Sequence, residues 1–140
     1  MRYLVSLWMC VFLAMPAAAD PAATQAINDL RAGVRKSSLG YSPILERAAQ
    51  AHADDMAKRG FFAHEGSSGS QVSDRVSAQG YKWCFVAENI AKGQQDLAQV
   101  MQGWTKSKGQ YKNMVHKSAH EFGLARAKGN IWVMVLAKPC

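Results

Sequence analysis

Two apolar runs near the C-terminus, Phe122 to Ala127 and Ile131 to Leu136, are separated only by Lys128-Gly129-Asn130. A short glycine-containing break between two apolar runs is a β-hairpin signal, and it constrains this chain's fold more than any other feature. The segments before it carry a helical period instead. From Pro21 to Arg35, apolar side chains recur at Ala22, Ala23, Ala26, Ile27, Leu30 and Val34. Gly40-Tyr41 closes the connection to a second helix, with Ser42 as N-cap and Pro43 at the first helical position. That helix carries Ile44, Leu45, Ala48, Ala49, His52 and Met56 along one side and stops at Gly60 after Lys58 or Arg59. On this reading His52 lies at the helix surface or the edge of the core.

Gly66-Ser67-Ser68-Gly69-Ser70 reads as a flexible loop, with Ser70 or Ser73 capping a short helix that runs through Gln79 and ends at Gly80. Tyr81 to Val86 is β-prone by its aromatics. Asp96 is a natural cap for a helix carrying Leu97, Val100, Met101 and Trp104. Helices followed by a terminal hairpin predict an α+β fold, helices packed on a small antiparallel sheet.

The first nineteen residues have the pattern of a secretory signal peptide. Arg2 is a positive n-region, Tyr3 to Met15 an apolar h-region, and Ala17-Ala18-Ala19 a small-residue cleavage site before Asp20. The run is short for a span of about 20 residues, so cleavage is expected rather than retention as an anchor. The mature chain, residues 20–140, suits one domain with one core and contains no linker or internal repeat. The expectation is a monomer with no transmembrane segment after cleavage, exported to the periplasm or the cell exterior. Of the 17 Lys and Arg, Arg2 leaves with the signal, so 16 face 10 Asp and Glu, a formal charge of +6. The basic residues are scattered, without aromatic interleaving, and an exported protein meets no cytoplasmic nucleic acid. The charge reads first as a soluble basic surface, and where it meets a partner, anionic envelope polymers or lipid headgroups are the candidates. The mature cysteines, Cys84 and Cys140, form an even count in an oxidising compartment and are expected to pair. By chain entropy such a bridge stabilises the fold by about 4 kcal/mol.

Few residues point to chemistry on their own. His64, just past a helix end in Phe61-Phe62-Ala63-His64, reads either as a histidine bonded to backbone or as a metal ligand or cleft base. Glu88, within Val86-Ala87-Glu88-Asn89-Ile90-Ala91, is a carboxylate among apolar neighbours and does not go inside without a partner. It either pins a loop or serves as a zinc ligand or general base. His116 and His120 are spaced i, i+4, but Gly109 and the strand to come argue against a helix through His120, so both read as surface residues. No Gly-x-Ser-x-Gly elbow, phosphate-binding glycine loop or free cysteine supports nucleophilic or nucleotide chemistry.

These residues, with Gly103-Trp104, Gly109-Gln110-Tyr111-Lys112-Asn113-Met114-Val115 and Glu121-Phe122-Gly123, resemble the CAP superfamily of cysteine-rich secretory, antigen 5 and pathogenesis-related proteins, also called SCP-like. The compact bacterial members are the nearest in pattern, and the resemblance spans residues 20–140. It implies a three-layer α-β-α sandwich. It also implies a cleft in which His64 faces Glu88 across from a second histidine and, in many eukaryotic members, a second glutamate. Here Ser107 stands at the second glutamate's place, three residues after Trp104, and Gln110 at the second histidine's, while Gly109 and Asn113 are kept. A glutamine amide is a poor zinc ligand, and His64 with Glu88 falls short of the three protein ligands of a typical catalytic zinc site. At most, weak binding of zinc or another divalent cation is expected, with no resident cofactor. The resemblance implies a secreted, non-enzymatic binding module whose cleft of His64, Glu88, Gln110 and Asn113 takes a small molecule, lipid or anionic envelope polymer. A hydrolase using His64 and Glu88, with or without metal, is the alternative.

Overall fold

The computed structural model of the protein describes residues 20–140, so the expected signal peptide lies outside the described residues. The elements follow in the order α1 (Pro21–Gly33), β1 (Gly40–Tyr41), α2 (Pro43–Arg59), α3 (Val72–Ala78), β2 (Trp83–Lys92), α4 (Leu97–Lys106), α5 (Lys108–Met114), β3 (Glu121–Ala127) and β4 (Ile131–Pro139). The strands form one sheet in the order β1-β3-β4-β2. The terminal hairpin is β3–β4, paired from Ala127↔Ile131 to Glu121↔Ala137. β2 pairs antiparallel with β4, and two-residue β1 adds a parallel edge to β3.

Every residue from Ile131 to Ala137 is buried, because β4 is central and both faces of the sheet are covered. Trp132, Met134 and Leu136 face a core with Ala23 and Ile27 of α1, Trp104 of α4 and Met114 of α5. Val133, Val135 and Ala137 face the other core, with Leu45, Ala49, Ala53 and Met56 of α2 and Val76 of α3. The period of two along β4 thus divides the domain into the α-β-α sandwich.

Several ends form as the sequence directs. Ser42 Oγ accepts from Leu45 N, and Gly60 closes α2 in the left-handed region at φ 69°. Asp96 Oδ1 accepts from Gln99 N at the start of α4. α5 stops at Met114, so His116 and His120 do not share a helix face. Other details differ. Gln71, not Ser70 or Ser73, opens α3, because the Asp74 carboxylate accepts from Gln71 N at 2.8 Å and fixes the first turn there. β2 runs six residues beyond Val86, carrying Glu88 and Asn89 in a strand. The Cys84–Cys140 bridge is as expected and joins the start of β2 to the residue just past the end of β4.

Two contacts set how the layers meet. At Gly123 on β3 an added Cβ would lie 2.1 Å from Glu46 N and 2.4 Å from the Leu45 carbonyl carbon. The backbone of α2 therefore rests directly on the strand, which explains the glycine of Glu121-Phe122-Gly123. On the other face, the buried Arg31 guanidinium has no carboxylate partner among the described residues and is met by carbonyls instead. Nε donates to Ser37 O at 2.7 Å, Nη1 to Met114 O at 2.9 Å and His116 O at 3.1 Å, and Nη2 to Ala119 O at 3.4 Å. These bonds hold the α5–β3 connection against α1.

Gly123→Ala should lower stability by about 3 kcal/mol in urea unfolding, since the new methyl meets backbone that no rotamer change can move. Gly33→Ala, whose Cβ would meet nothing within 4 Å, should leave the midpoint unchanged or raise it. A loss at Gly123 of under about 1 kcal/mol would mean that α2 can lift off the sheet.

Candidate functional site

Glu88 lies midway along β2 with its side chain 2% exposed, where an unpaired carboxylate is not tolerated. Both its oxygens are engaged. Oε1 accepts from His64 Nδ1 at 2.8 Å, and Oε2 from Arg75 Nη2 at 2.8 Å. Arg75, on α3, is itself largely buried and donates further to His64 O at 3.0 Å and Ser70 O at 2.7 Å. One guanidinium therefore neutralises the carboxylate and ties down the loop that carries His64.

The same loop is fastened from α2. His52 Nε2 donates to Ala63 O at 2.8 Å, and Asp55 accepts from Ser67 N at 2.8 Å and Ser67 Oγ at 2.6 Å. Those two Ser67 bonds hold the Asp55 carboxyl below its usual range. His52 is not the surface or core-edge residue its helical position suggests. It is 1% exposed and stands 3.9 Å from Glu88 Oε1, because the close approach of α2 at Gly123 brings this face of the helix down onto the sheet. With its proton on Nε2, its Nδ1 faces the interior unpartnered. Burial pushes the His52 pKa down; neighbouring Glu88 opposes the shift and Arg75 adds to it.

On the opposite side, α4 and α5 cap the free edge of β2. Gln110 Nε2 donates to Ile90 O at 2.9 Å, beside Trp104 Nε1 at 3.2 Å to the same oxygen. Asn113 Nδ2 donates to Glu88 O at 3.3 Å and to Asn89 Oδ1 at 2.9 Å, while Asn89 Nδ2 donates to Gln110 O at 3.0 Å. The amide nitrogen of Gln110 is thus spent on the strand.

The structure brings His64, Glu88, Gln110 and Asn113 to one open cleft of about 700 Å³, whose wall also includes Ser107, Lys112 and His116. His116 is half-buried there, stacked on Phe85 with ring centroids 4.4 Å apart and planes 9° from parallel, its Nδ1 accepting from Ser118 N. His120 is exposed and takes no part in this wall. Sequence reasoning missed Arg75, the buried His52 and the Phe85–His116 stack. Arg75 lies one residue from buried Val76 on a short helix, and nothing local marks it as a counter-ion.

The donor set does not fit a catalytic zinc. His64 Nδ1 and both Glu88 oxygens are occupied by one another and by Arg75, and Gln110, whose Nε2 donates to Ile90 O, offers only the weakly ligating carbonyl oxygen of an amide. Among the described residues no three His, Cys, Asp or Glu side chains converge as a metal site would require.

Because folded His52 resists protonation, it links stability to pH in one direction. Unfolded, it takes a proton near pH 6.5; folded, it takes it only at lower pH. Above about 6.5 neither state is protonated and His52 adds no pH dependence. Below it the unfolded chain binds the extra proton, and stability falls by up to about 1.4 kcal/mol per pH unit until the folded pKa is reached. Urea midpoints between pH 8 and 5 should show this acid limb in the wild type and a shallower one in His52→Gln. Parallel limbs would assign the pH dependence elsewhere.

Comparison with known proteins places the fold. The family model described as CAP, cysteine-rich secretory protein family, matches residues 24–136. The uncharacterized protein YkwD of Bacillus subtilis is 29% identical over 95 residues, 67% of this chain but 37% of its own length, so this chain spans well under half of that relative. An extracellular protein of Bacillus anthracis containing an SCP domain superposes with a TM-score of 0.78 at 21% identity, over 84% of this chain and 40% of that one. An outer surface protein of Borrelia burgdorferi gives 0.79 at 20% identity, over 85% and 91%. With the three-layer fold, the His64–Glu88 cleft and a family match over most of its length, this chain belongs to the CAP, or cysteine-rich secretory protein, family.

Proposed function

We propose that the protein is an exported, non-enzymatic binding module whose cleft takes an anionic ligand of the cell envelope or its surroundings. One observation carries this reading. The buried acid of the cleft, Glu88, is already neutralised by Arg75, which leaves Lys112 as the uncompensated charge on the wall, with the His64 and His116 rings beside it. A cleft in which the acid is compensated and the base is free favours an anion. Export is supported by the signal-like first nineteen residues, by the Cys84–Cys140 bridge and by the extracellular and outer-surface relatives. Among the described residues no helix is long and apolar enough to cross a membrane. We assign no resident metal, since the wall offers too few free donors, and any divalent cation would bind weakly.

The His64–Glu88 pair favours a second reading, a hydrolase, because a carboxylate-oriented imidazole is one half of a general acid–base device. Among the described residues no hydroxyl or thiol is hydrogen-bonded to His64, and this reading comes second.

Binding of fluorescent dextran sulfate, with neutral dextran as control, separates the two. Wild type should bind the sulfated polymer with a marked salt dependence, and Lys112→Glu should weaken it about tenfold or more. Lys128→Glu, at the β3–β4 turn, should change it little. Equal effects at both lysines would reduce the interaction to net charge. Turnover of a chromogenic ester that is lost in His64→Ala would move the hydrolase forward.

A further inference from the structure

The cleft wall includes four consecutive residues of one strand, Phe85 to Glu88, and β2 is an edge of the sheet. Which of their main-chain groups face β4 follows from the ladder. Gly93 N donates to Asn130 O at 3.0 Å, continuing the rungs made by Ala91, Asn89 and Ala87 opposite Trp132, Met134 and Leu136. Antiparallel residues alternate between bonded and non-bonded pairs, so Val86, Glu88 and Ile90 turn their N–H and C=O groups to the open edge. The side-chain caps agree with that parity, since Ile90 O receives Trp104 and Gln110 and Glu88 O receives Asn113.

Capping ends there. Val86 N–H, Val86 C=O and Glu88 N–H have no partner among the described residues, although all three belong to residues on the cleft wall. An open strand edge is a template for another chain, and folded proteins blunt it with cover, charge, proline or a bulge. Here Asn113 blunts one end of the open stretch and the register break between Trp83 and Phe85 the other. What remains is a donor, an acceptor and a second donor at the spacing of a β-strand.

We propose that the cleft takes an extended peptide bearing a carboxylate, which adds to the edge of β2 as a short strand centred on Val86. One peptide residue exchanges two main-chain bonds with Val86, and a neighbouring carbonyl accepts from Glu88 N–H. A chain with alternating amide donors and acceptors at the strand repeat satisfies all three groups in one extended segment. Because Asn113 already holds Glu88 O, pairing cannot continue along β2, so the peptide is short or ends here. Its carboxylate is met by Lys112, the charge left free once Arg75 has neutralised Glu88. This inference rests on the anion-binding reading above and names its ligand.

The test uses the ¹⁵N-labelled mature protein and three probes: acetyl-trialanine with a free carboxylate, the same peptide as its C-terminal amide, and an analogue methylated on its backbone nitrogens. The free acid should slow hydrogen exchange at the Val86 and Glu88 amides about tenfold or more at saturation, leaving the inward-facing Ala87 amide unchanged. The amide form and the N-methylated form should each bind about tenfold more weakly, as expected for a lost ion pair or lost main-chain bonds. If acetyl-trialanine shifts the His64, His116 and Lys112 signals without protecting Val86 and Glu88, anion binding stands and strand addition is overturned. If dextran sulfate binds through Lys112 and the peptide does not bind, the peptide ligand is overturned and the binding-module reading is kept. If neither probe perturbs the cleft, both fall.

Discussion

A carboxylate on a covered strand must be compensated, and the way Glu88 is compensated organises the rest of this molecule. Desolvating an isolated carboxylate costs several kcal/mol even after relaxation, so the fold has to supply donors at that point. It supplies them from two separate segments, Arg75 of α3 and His64 of the loop before it, each bonded to a different oxygen. Arg75 reaches past Glu88 to the carbonyls of His64 and Ser70, so the group that neutralises the acid also shapes the loop. The cleft wall and its counter-charge are one structure.

That arrangement depends on how closely the helical layer sits on the sheet. Glu88, Val135 and Gly123 lie in register across β2, β4 and β3. Gly123 lets the α2 backbone touch the sheet, and the same approach carries His52 to within 3.9 Å of Glu88 while it bonds Ala63 O. On the other face Arg31 fixes the carbonyls of Met114, His116 and Ala119, the connection on which the Phe85–His116 stack rests. Two buried cations, one with a carboxylate partner and one with only carbonyls, thus hold opposite walls of one cleft.

Much of this was legible in the chain. The hairpin about Lys128-Gly129-Asn130, the caps at Ser42 and Asp96 and the stop at Gly60 are local signals, each with a local physical cause, and the Cys84–Cys140 pair follows from an even cysteine count; the structure realises them all. The motif residues His64, Glu88, Gln110 and Asn113 meet in one cleft. What the sequence concealed is the chemistry that arises only between segments. His52 falls on the apolar face of α2 and reads as a core-edge residue, since its partner is a carbonyl eleven residues away. Arg75 gives no local sign of its role, because arginines are seldom buried and its carboxylate lies on another element. Gln110 reads as a ligand lost, whereas its amide caps the edge of β2 at Ile90 O, a role visible only once the sheet order is known. The parallel strand β1, two residues long, carries no period at all.

If Glu88 is consumed as the partner of Arg75 rather than left free for a metal or for catalysis, the two side chains must be coupled in stability. Urea unfolding of wild type, Arg75→Met, Glu88→Gln and the double variant at pH 7.5 tests this most directly. Removing Arg75 alone should cost about 3–5 kcal/mol, because it strands a buried charge, and adding Glu88→Gln should restore most of that loss. A cost below about 1 kcal/mol for Arg75→Met, or a double variant no more stable than Arg75→Met, would contradict it and return Glu88 to the list of free cleft acids.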